Sequence, residues 1–304
     1  MTKATKRPAR STAEIHRMIA DQVIKAMETS GTAWVKSWST SSGQMPTSMS
    51  TGRNYQGINL VILGLARAAG GYGSHEWGTF KQWRSREANV RKGQKATTVI
   101  LYKPIQITDK VTGEDKTIGM LKTFSVFNAD QVDGYETPAI VDAVDHTKLA
   151  QPNTLADQLA SRAGCDVRFN DPTSAFYAPM FDFVNMPRAT QFATPVDYAA
   201  TLLHELAHWT GHKSRLDRKF ALTNGSKDYA KEELVAELAS AMMCGSLGIT
   251  PAPREDHAKY LANWMQRLKD EPKIIFSAAA KANQAAEWIF DAAEVQQDEV
   301  AIAA

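Results

Sequence analysis

Apolar residues recur at helical spacing in the opening stretch of the chain, where Ile15, Met18, Ile19, Val23 and Met27 share one face. Ser11-Thr-Ala-Glu14 supplies a capping box in front of them, and Gly31 marks the stop. A polar run from Ser37 to Arg53 reads as a loop. The apolar stretch from Tyr55 to Ala69 follows, expected to be a buried helix capped by Asn59 and ended by Gly70-Gly71. The pattern then switches. Thr97–Tyr102 and Lys122–Phe127 are rich in β-branched and aromatic residues, predicting strands joined through the turn Thr112-Gly-Glu-Asp115.

From Tyr135 to Thr154, with Pro138 and Pro152, no period is visible, and this segment reads as a linker. Beyond it come a helix over Leu155–Ala163 and short strands around Val167-Arg-Phe169, Ala175–Pro179 and Phe181–Pro187. Helices are predicted over 197–210, 228–245, 257–269 and 277–293, then an acidic tail. There is no internal repeat. The expected architecture is α+β in two domains, 1–135 and 153–304, with residues 136–152 between them.

The densest chemistry lies in the first helix after those strands. Residues 204 to 208 read His-Glu-Leu-Ala-His, with Leu202, Leu203, Leu206 and Ala207 available to a core. Four residues apart on a helix, His204 and His208 project from one face and are spaced to hold a single metal ion. Glu205 is turned about 100° from His204, out of direct ligation but near a metal-bound water. Two imidazoles fixing an ion while a carboxylate takes a proton is the arrangement of a zinc peptidase.

A catalytic zinc takes three protein ligands and keeps one position for water. The predicted helix over 228–245 is apolar at Leu234, Val235, Leu238, Ala241 and Met242, yet carries three carboxylates. Glu233 and Glu237 share a face; Glu232 lies a full 100° round. Glu233 is the expected third ligand, with Glu237 accepting from an imidazole N–H. Glu232 reads as a first-turn acid favoured by the helix dipole. His212 invites a third-histidine reading, but that motif needs the residue at 214, which is Ser214. Tyr177, Tyr198 and Tyr229 are candidates to steady an oxyanion. Zinc is the expected ion, and imidazole–carboxylate sites also accept Mn²⁺ or another divalent ion. A nuclease would call for several carboxylates around Mg²⁺ instead of a histidine pair.

Composition adds three bounds. With 43% hydrophobic and 22% charged residues, the chain is an ordinary globular protein. Its 2 cysteines build no disulfide framework and suit a cytoplasmic setting, and no run is apolar enough for a membrane span. The net charge of +2 hides an asymmetry: residues 1–140 carry 19 Lys and Arg against 11 Asp and Glu, or +8, leaving 16 against 22, or −6, for residues 141–304. The first half suits phosphates, and the second suits a cation.

The basic half interleaves Trp34, Trp38, Tyr55, Tyr72, Trp77, Phe80 and Trp83 with Lys36, Arg53, Lys81, Arg84, Arg86, Arg91, Lys92 and Lys95. Single-stranded nucleic acid is bound by such mixtures, aromatics stacking on bases while cations track the backbone. Trp34, Lys36, Trp38, Arg53, Tyr55, Tyr72, Trp77, Arg91 and Lys92 are the expected contacts, with Val90-Arg-Lys-Gly-Gln-Lys95 a basic turn apt for phosphate.

These residues resemble the ArdC-type antirestriction proteins of conjugative plasmids. The resemblance rests on Trp34-Val-Lys-Ser-Trp38, Asn54–Asn59, Gly71-Tyr72, Trp77-Gly-Thr-Phe80 and Val90-Arg-Lys-Gly93, then on Met186-Pro187, His204–Gly211 and Glu232–Glu237. It implies an N-terminal domain binding single-stranded DNA, similar to part of plasmid TraC primases, and a C-terminal zincin-like metallopeptidase domain. It also implies protection of incoming plasmid DNA from host restriction during conjugation. His204, His208 and a glutamate of the 232–237 segment match the family's metal ligands, and Glu205 its acid/base. An unidentified protein substrate is implied if the site hydrolyses peptides. The alternative is a non-catalytic shield for single-stranded DNA whose metal only holds the fold.

Overall fold

The computed structural model describes residues 10–31, 34, 45–108, 115–136, 151–218, 227–251 and 258–293. Lys36, Trp38, most of the expected linker, most of the Thr112–Asp115 turn and the acidic tail lie outside the described residues.

Helix α1 (Thr12–Ser30) starts with the capping box: Ser11 Oγ accepts from Glu14 N, and the Glu14 carboxylate accepts from Ser11 N. Its buried stripe, Ile15, Ile19, Val23 and Met27, belongs to the same apolar cluster as the last helices of the chain. Arg17 donates to the Lys269 carbonyl at 2.7 Å. The first helix thus lies against the C-terminal half, although the sequence pattern places it in the N-terminal domain.

Helix α2 (Ile58–Gly70) is capped differently from expectation. Its N-cap is Gly57, at φ 56°, and the Gly57 N–H donates to Asn283 Oδ1. Asn59 lies two residues past the cap position, already inside the first turn. Its side chain turns instead to the backbone of Ile100, accepting from N at 2.9 Å and donating to O at 2.8 Å.

Four strands form the first sheet: β1 (Thr47–Ser48), β2 (Glu76–Thr79), and, beyond a short helix α3 (Phe80–Arg84) and β3 (Asn89–Val90), the pair β4 (Thr97–Thr108) and β5 (Asp115–Asn128). Their order is β1-β2-β5-β4, with β1 parallel to β2 and the other pairings antiparallel. Trp77, Val99 and Val126 bury one face beneath Leu63 of α2. The long pair extends past the stretches read as strands, to 12 and 14 residues. A two-stranded ribbon joins β3 to β6 (Val132–Asp133).

The second half opens with α4 (Pro152–Arg162), whose proline sits in the first turn where a missing N–H costs nothing. A small sheet of β7 (Val167–Arg168), β8 (Phe176–Ala178) and β9 (Phe183–Asn185) has the order β7-β9-β8. Four helices follow: α5 (Pro195–Trp209), α6 (Lys227–Ser246), α7 (Ala258–Asp270) and α8 (Ile274–Ala292). On α8, Ala278, Ala279, Ala282, Ala285 and Ala286 are all buried, and small side chains let the helices approach closely. Among the described residues, no helix is long and apolar enough to cross a membrane. The whole is a two-domain α+β protein.

Candidate metal centre

Helix α5 is almost entirely buried from Tyr198 to Ala207, so its side chains cannot adjust freely. Thr194 caps it, accepting from Asp197 N at 3.1 Å, and Pro195 starts it. Helix α6 lies alongside, pinned where Ser240 Oγ donates to the Ala200 carbonyl at 3.0 Å. The helices run antiparallel: His204 faces Glu237, while His208, one turn further along α5, faces Glu232, more than one turn earlier on α6.

The two imidazoles turn their Nε2 atoms toward each other, 3.2 Å apart. Glu233 completes the triangle, with one oxygen 3.6 Å from His204 Nε2 and the other 3.5 Å from His208 Nε2. One donor atom from each of His204, His208 and Glu233 lies within 4.8 Å of the others, and all three residues are buried. A tetrahedral cation with bonds near ~2.0–2.1 Å needs donors about 3.3 Å apart. The observed spacing meets that requirement, and two imidazoles with one carboxylate are a donor set that suits zinc or manganese.

Behind each imidazole stands a carboxylate. Glu237 is 3.6 Å from His204 Nδ1, as its helical phase suggests. Glu232 is 3.6 Å from His208 Nδ1, which the sequence reading did not foresee. It is no solvated first-turn acid: it is buried and gripped by Arg218, whose Nε and Nη2 both donate to it, the shortest contact at 2.8 Å. Arg218 also donates to Thr210 Oγ1 at 2.8 Å and to the Ala207 carbonyl at 2.5 Å, tying off the end of α5. The clue in sequence was a third acid on a buried helix. Arg218, in a loop, gave none.

The electrostatics are those of an anionic cavity. Burial favours neutral His208, but Glu232, Glu233 and Glu205 outweigh it and push the imidazole up to about 10. Burial raises Glu233, and the two histidines reverse this, leaving it far below the ordinary carboxylate range. Glu205 is itself buried beside this cluster.

The remaining candidates separate cleanly. His212 does not join the cluster; its Nδ1 lies 2.8 Å from Ser214 Oγ and 3.8 Å from Asp182. Tyr198 is buried and donates to Asp157 at 2.7 Å, and Tyr177 donates to Asp182 at 2.9 Å. Tyr229 is the tyrosine next to the site, one turn before Glu233, with its hydroxyl bonded to Glu233 and 3.4 Å from that of Tyr260.

The expected DNA contacts fare less evenly. Trp34 and Trp77 are 1% and 0% exposed, so neither indole offers a face to a base; both are core, a correction to their reading as stacking platforms. Tyr55 and Tyr72 are half-buried, Tyr72 edge-on to Trp77. Arg91 spends its guanidinium on the carbonyls of Asp130 and Val132 and on Asp133. Arg53 and Lys92 are exposed. The open aromatics of this half are others: Tyr102 at 65%, Phe80 at 52% and Phe124 at 42%. Periodicity alone did not separate them from core.

Two histidines and a glutamate on antiparallel buried helices define a zincin-like metallopeptidase-type domain. Residues 154–281 match a family described as zincin-like metallopeptidase, and residues 13–127 match the N-terminal domain of anti-restriction factor ArdC. The chain is 33% identical over 306 residues to the uncharacterized protein y4eC of Sinorhizobium fredii, covering 97% of this chain and 98% of that one. It is 33% identical over 303 residues to an Escherichia coli DNA primase TraC, covering 93% of this chain but 28% of the primase. Two crystal structures of the antirestriction protein ArdC of plasmid R388 share its fold. The metal-free form is 38% identical with TM-score 0.78, covering 93% of this chain and 99% of that one. The Mn(II)-bound form is 37% identical with TM-score 0.75, covering 92% and 98%. The chain belongs to the ArdC antirestriction family.

Proposed function

We propose that this antirestriction protein binds single-stranded DNA through its N-terminal domain and hydrolyses peptide bonds at a metal centre in its C-terminal domain. The observation that carries the peptidase reading is the convergence of His204 Nε2, His208 Nε2 and the Glu233 carboxylate, whose two oxygens lie 3.6 and 3.5 Å from the respective imidazoles, close to the spacing that one tetrahedral cation requires. His204, His208 and Glu233 would hold the ion, Zn²⁺ or, as in the R388 protein, Mn²⁺. When bound, such an ion supplies Lewis acidity toward a water and a carbonyl oxygen. Glu205, buried next to His204 in the chain, accepts the proton of the attacking water at its carboxylate and returns it to the departing amine. Glu232 and Glu237 orient the two rings through Nδ1. Of the three candidate tyrosines, Tyr229, beside Glu233, is the one proposed to meet an oxyanion.

In the first half, Phe80, Tyr102 and Phe124 give exposed rings for stacking, beside exposed Lys81, Lys92, Lys95 and Lys122. That half carries +8, which favours a polyanion. In this reading the protein acts in the cytoplasm during conjugation, shielding incoming plasmid DNA from restriction.

Glu205→Gln tests the enzymatic part in the full-length protein. Metal content should stay at the wild-type level while hydrolysis of a casein substrate disappears. If restriction of incoming DNA is then still blocked in cells, the protein acts as a non-catalytic shield.

A further inference from the structure

Arg218 is a buried cation within one side chain of a site built to hold another cation. Taken as charge alone, it opposes metal binding, because like charges repel. Its hydrogen bonds say something different. Its Nε and Nη2 both hold Glu232, at 3.2 and 2.8 Å to the same oxygen, and Nη1 and Nη2 anchor on Thr210 and the Ala207 carbonyl. Glu232 in turn faces His208 Nδ1 at 3.6 Å. The chain of contacts runs from the end of α5, through a guanidinium, to a carboxylate on α6, and back to an imidazole on α5.

We infer that Arg218 is a positioning residue for the metal centre: by gripping Glu232 it fixes the acceptor for His208 Nδ1–H, and so leaves Nε2 bare and aimed at the ion. This inference rests on the proposal that His204, His208 and Glu233 bind a divalent cation. Two features favour a positioning role over a purely structural one. Glu232 is buried at the ring nitrogen opposite the donor atom, where an acceptor selects the tautomer. The grip is forked, fixing the carboxylate's orientation as a single point charge would not.

The test is titration of the metal-free full-length protein with Mn²⁺, followed by calorimetry, for wild type, Glu232→Gln, Arg218→Met and the double variant. Positioning predicts that Glu232→Gln and Arg218→Met each weaken Mn²⁺ binding by about 10–100-fold. It also predicts that the double variant is no weaker than the worse single one, since Arg218 acts through Glu232. Unchanged or tighter binding by Arg218→Met overturns the inference, tighter binding being what repulsion alone requires. Losses that multiply in the double variant overturn it too, because Arg218 would then act through the end of α5. Glu232→Gln keeps the guanidinium's bonds to Thr210 and Ala207, so it remains informative if Arg218→Met fails to fold. Thermal melts of the metal-free proteins separate lost affinity from lost fold. If wild type itself binds no Mn²⁺ or Zn²⁺, the metal-centre proposal falls, a result distinct from equal binding by all four proteins.

Discussion

The carboxamide of Asn59 makes both hydrogen bonds to the backbone of Ile100, accepting from its N–H at 2.9 Å and donating to its C=O at 2.8 Å. Ile100 lies on β4, the outermost strand of the four-stranded sheet, where such groups have no neighbouring strand. One side chain of α2 thus does locally what another strand would do, and it joins the helix to the sheet edge. Asn59→Leu leaves a buried N–H and C=O without partners, which costs about 1–3 kcal/mol. Urea unfolding of the two proteins measures the difference; an unchanged midpoint would remove this role.

What was legible in the sequence follows from periodicity. The His-Glu-Leu-Ala-His segment could be placed on a helix, and Glu233 separated from Glu232 by face, because helical phase is set locally; the fold then brings Glu233 together with both histidines. Asn59 shows the limit: beside an apolar run it reads as a cap, and only the tertiary fold reveals that its partner is Ile100, 41 residues away. Glu232 shows the same limit from the other side. Its phase relative to Glu233 was read properly, but its partner arrives from a loop with no period. Trp34 and Trp77 were ambiguous in principle, since an indole beside lysines serves a core as well as a base. The placement of α1 against the last helices required long-range contacts that a period cannot encode.

Helix α8 faces its neighbours with alanine, and Ala282 is fully buried in the main core cluster. A larger side chain has no space there without displacing a helix. Ala282→Leu should destabilise the protein by about 1–3 kcal/mol through overpacking, although it adds apolar surface. A thermal melt checks the sign: a rise in the midpoint would mean the interface has slack.

His75 gives a pH dependence away from the metal centre. Burial lowers its pKa below the ordinary 6.5, Glu76 partly opposes this, and Arg67 adds to it. The unfolded chain therefore binds a proton at higher pH than the folded one does. Stability contributed by neutral His75 is fully present above the unfolded value and declines as pH falls through about 6.5 toward the folded value. His75→Gln, which cannot titrate, should show a shallower loss of stability between about pH 7 and 5. Equal slopes for the two proteins would contradict the burial argument.

The exposed rings of the first half give the sharpest test of nucleic-acid binding, because stacking and charge leave different signatures. Val99 pairs with Phe124 and Leu101 with Lys122, so Leu101, Phe124 and Lys122 lie on one face of the long β-ribbon, while Tyr102 occupies the other. Stacking contributes about 1–3 kcal/mol per base and is nearly independent of salt. A lysine on a phosphate instead adds to the slope of affinity against salt. Phe124→Ala and Tyr102→Ala should therefore each weaken binding to an oligothymidylate with the salt slope unchanged, if their faces both meet the strand. Lys122→Ala should weaken it less at high salt than at low, and reduce the slope by about 0.7. Trp77→Phe, altering a fully buried ring, should change stability and leave affinity alone. Fluorescence anisotropy across a salt series separates these outcomes. Binding that is indifferent to all three surface changes, or equal for duplex and single strand, would move the interface elsewhere or remove it.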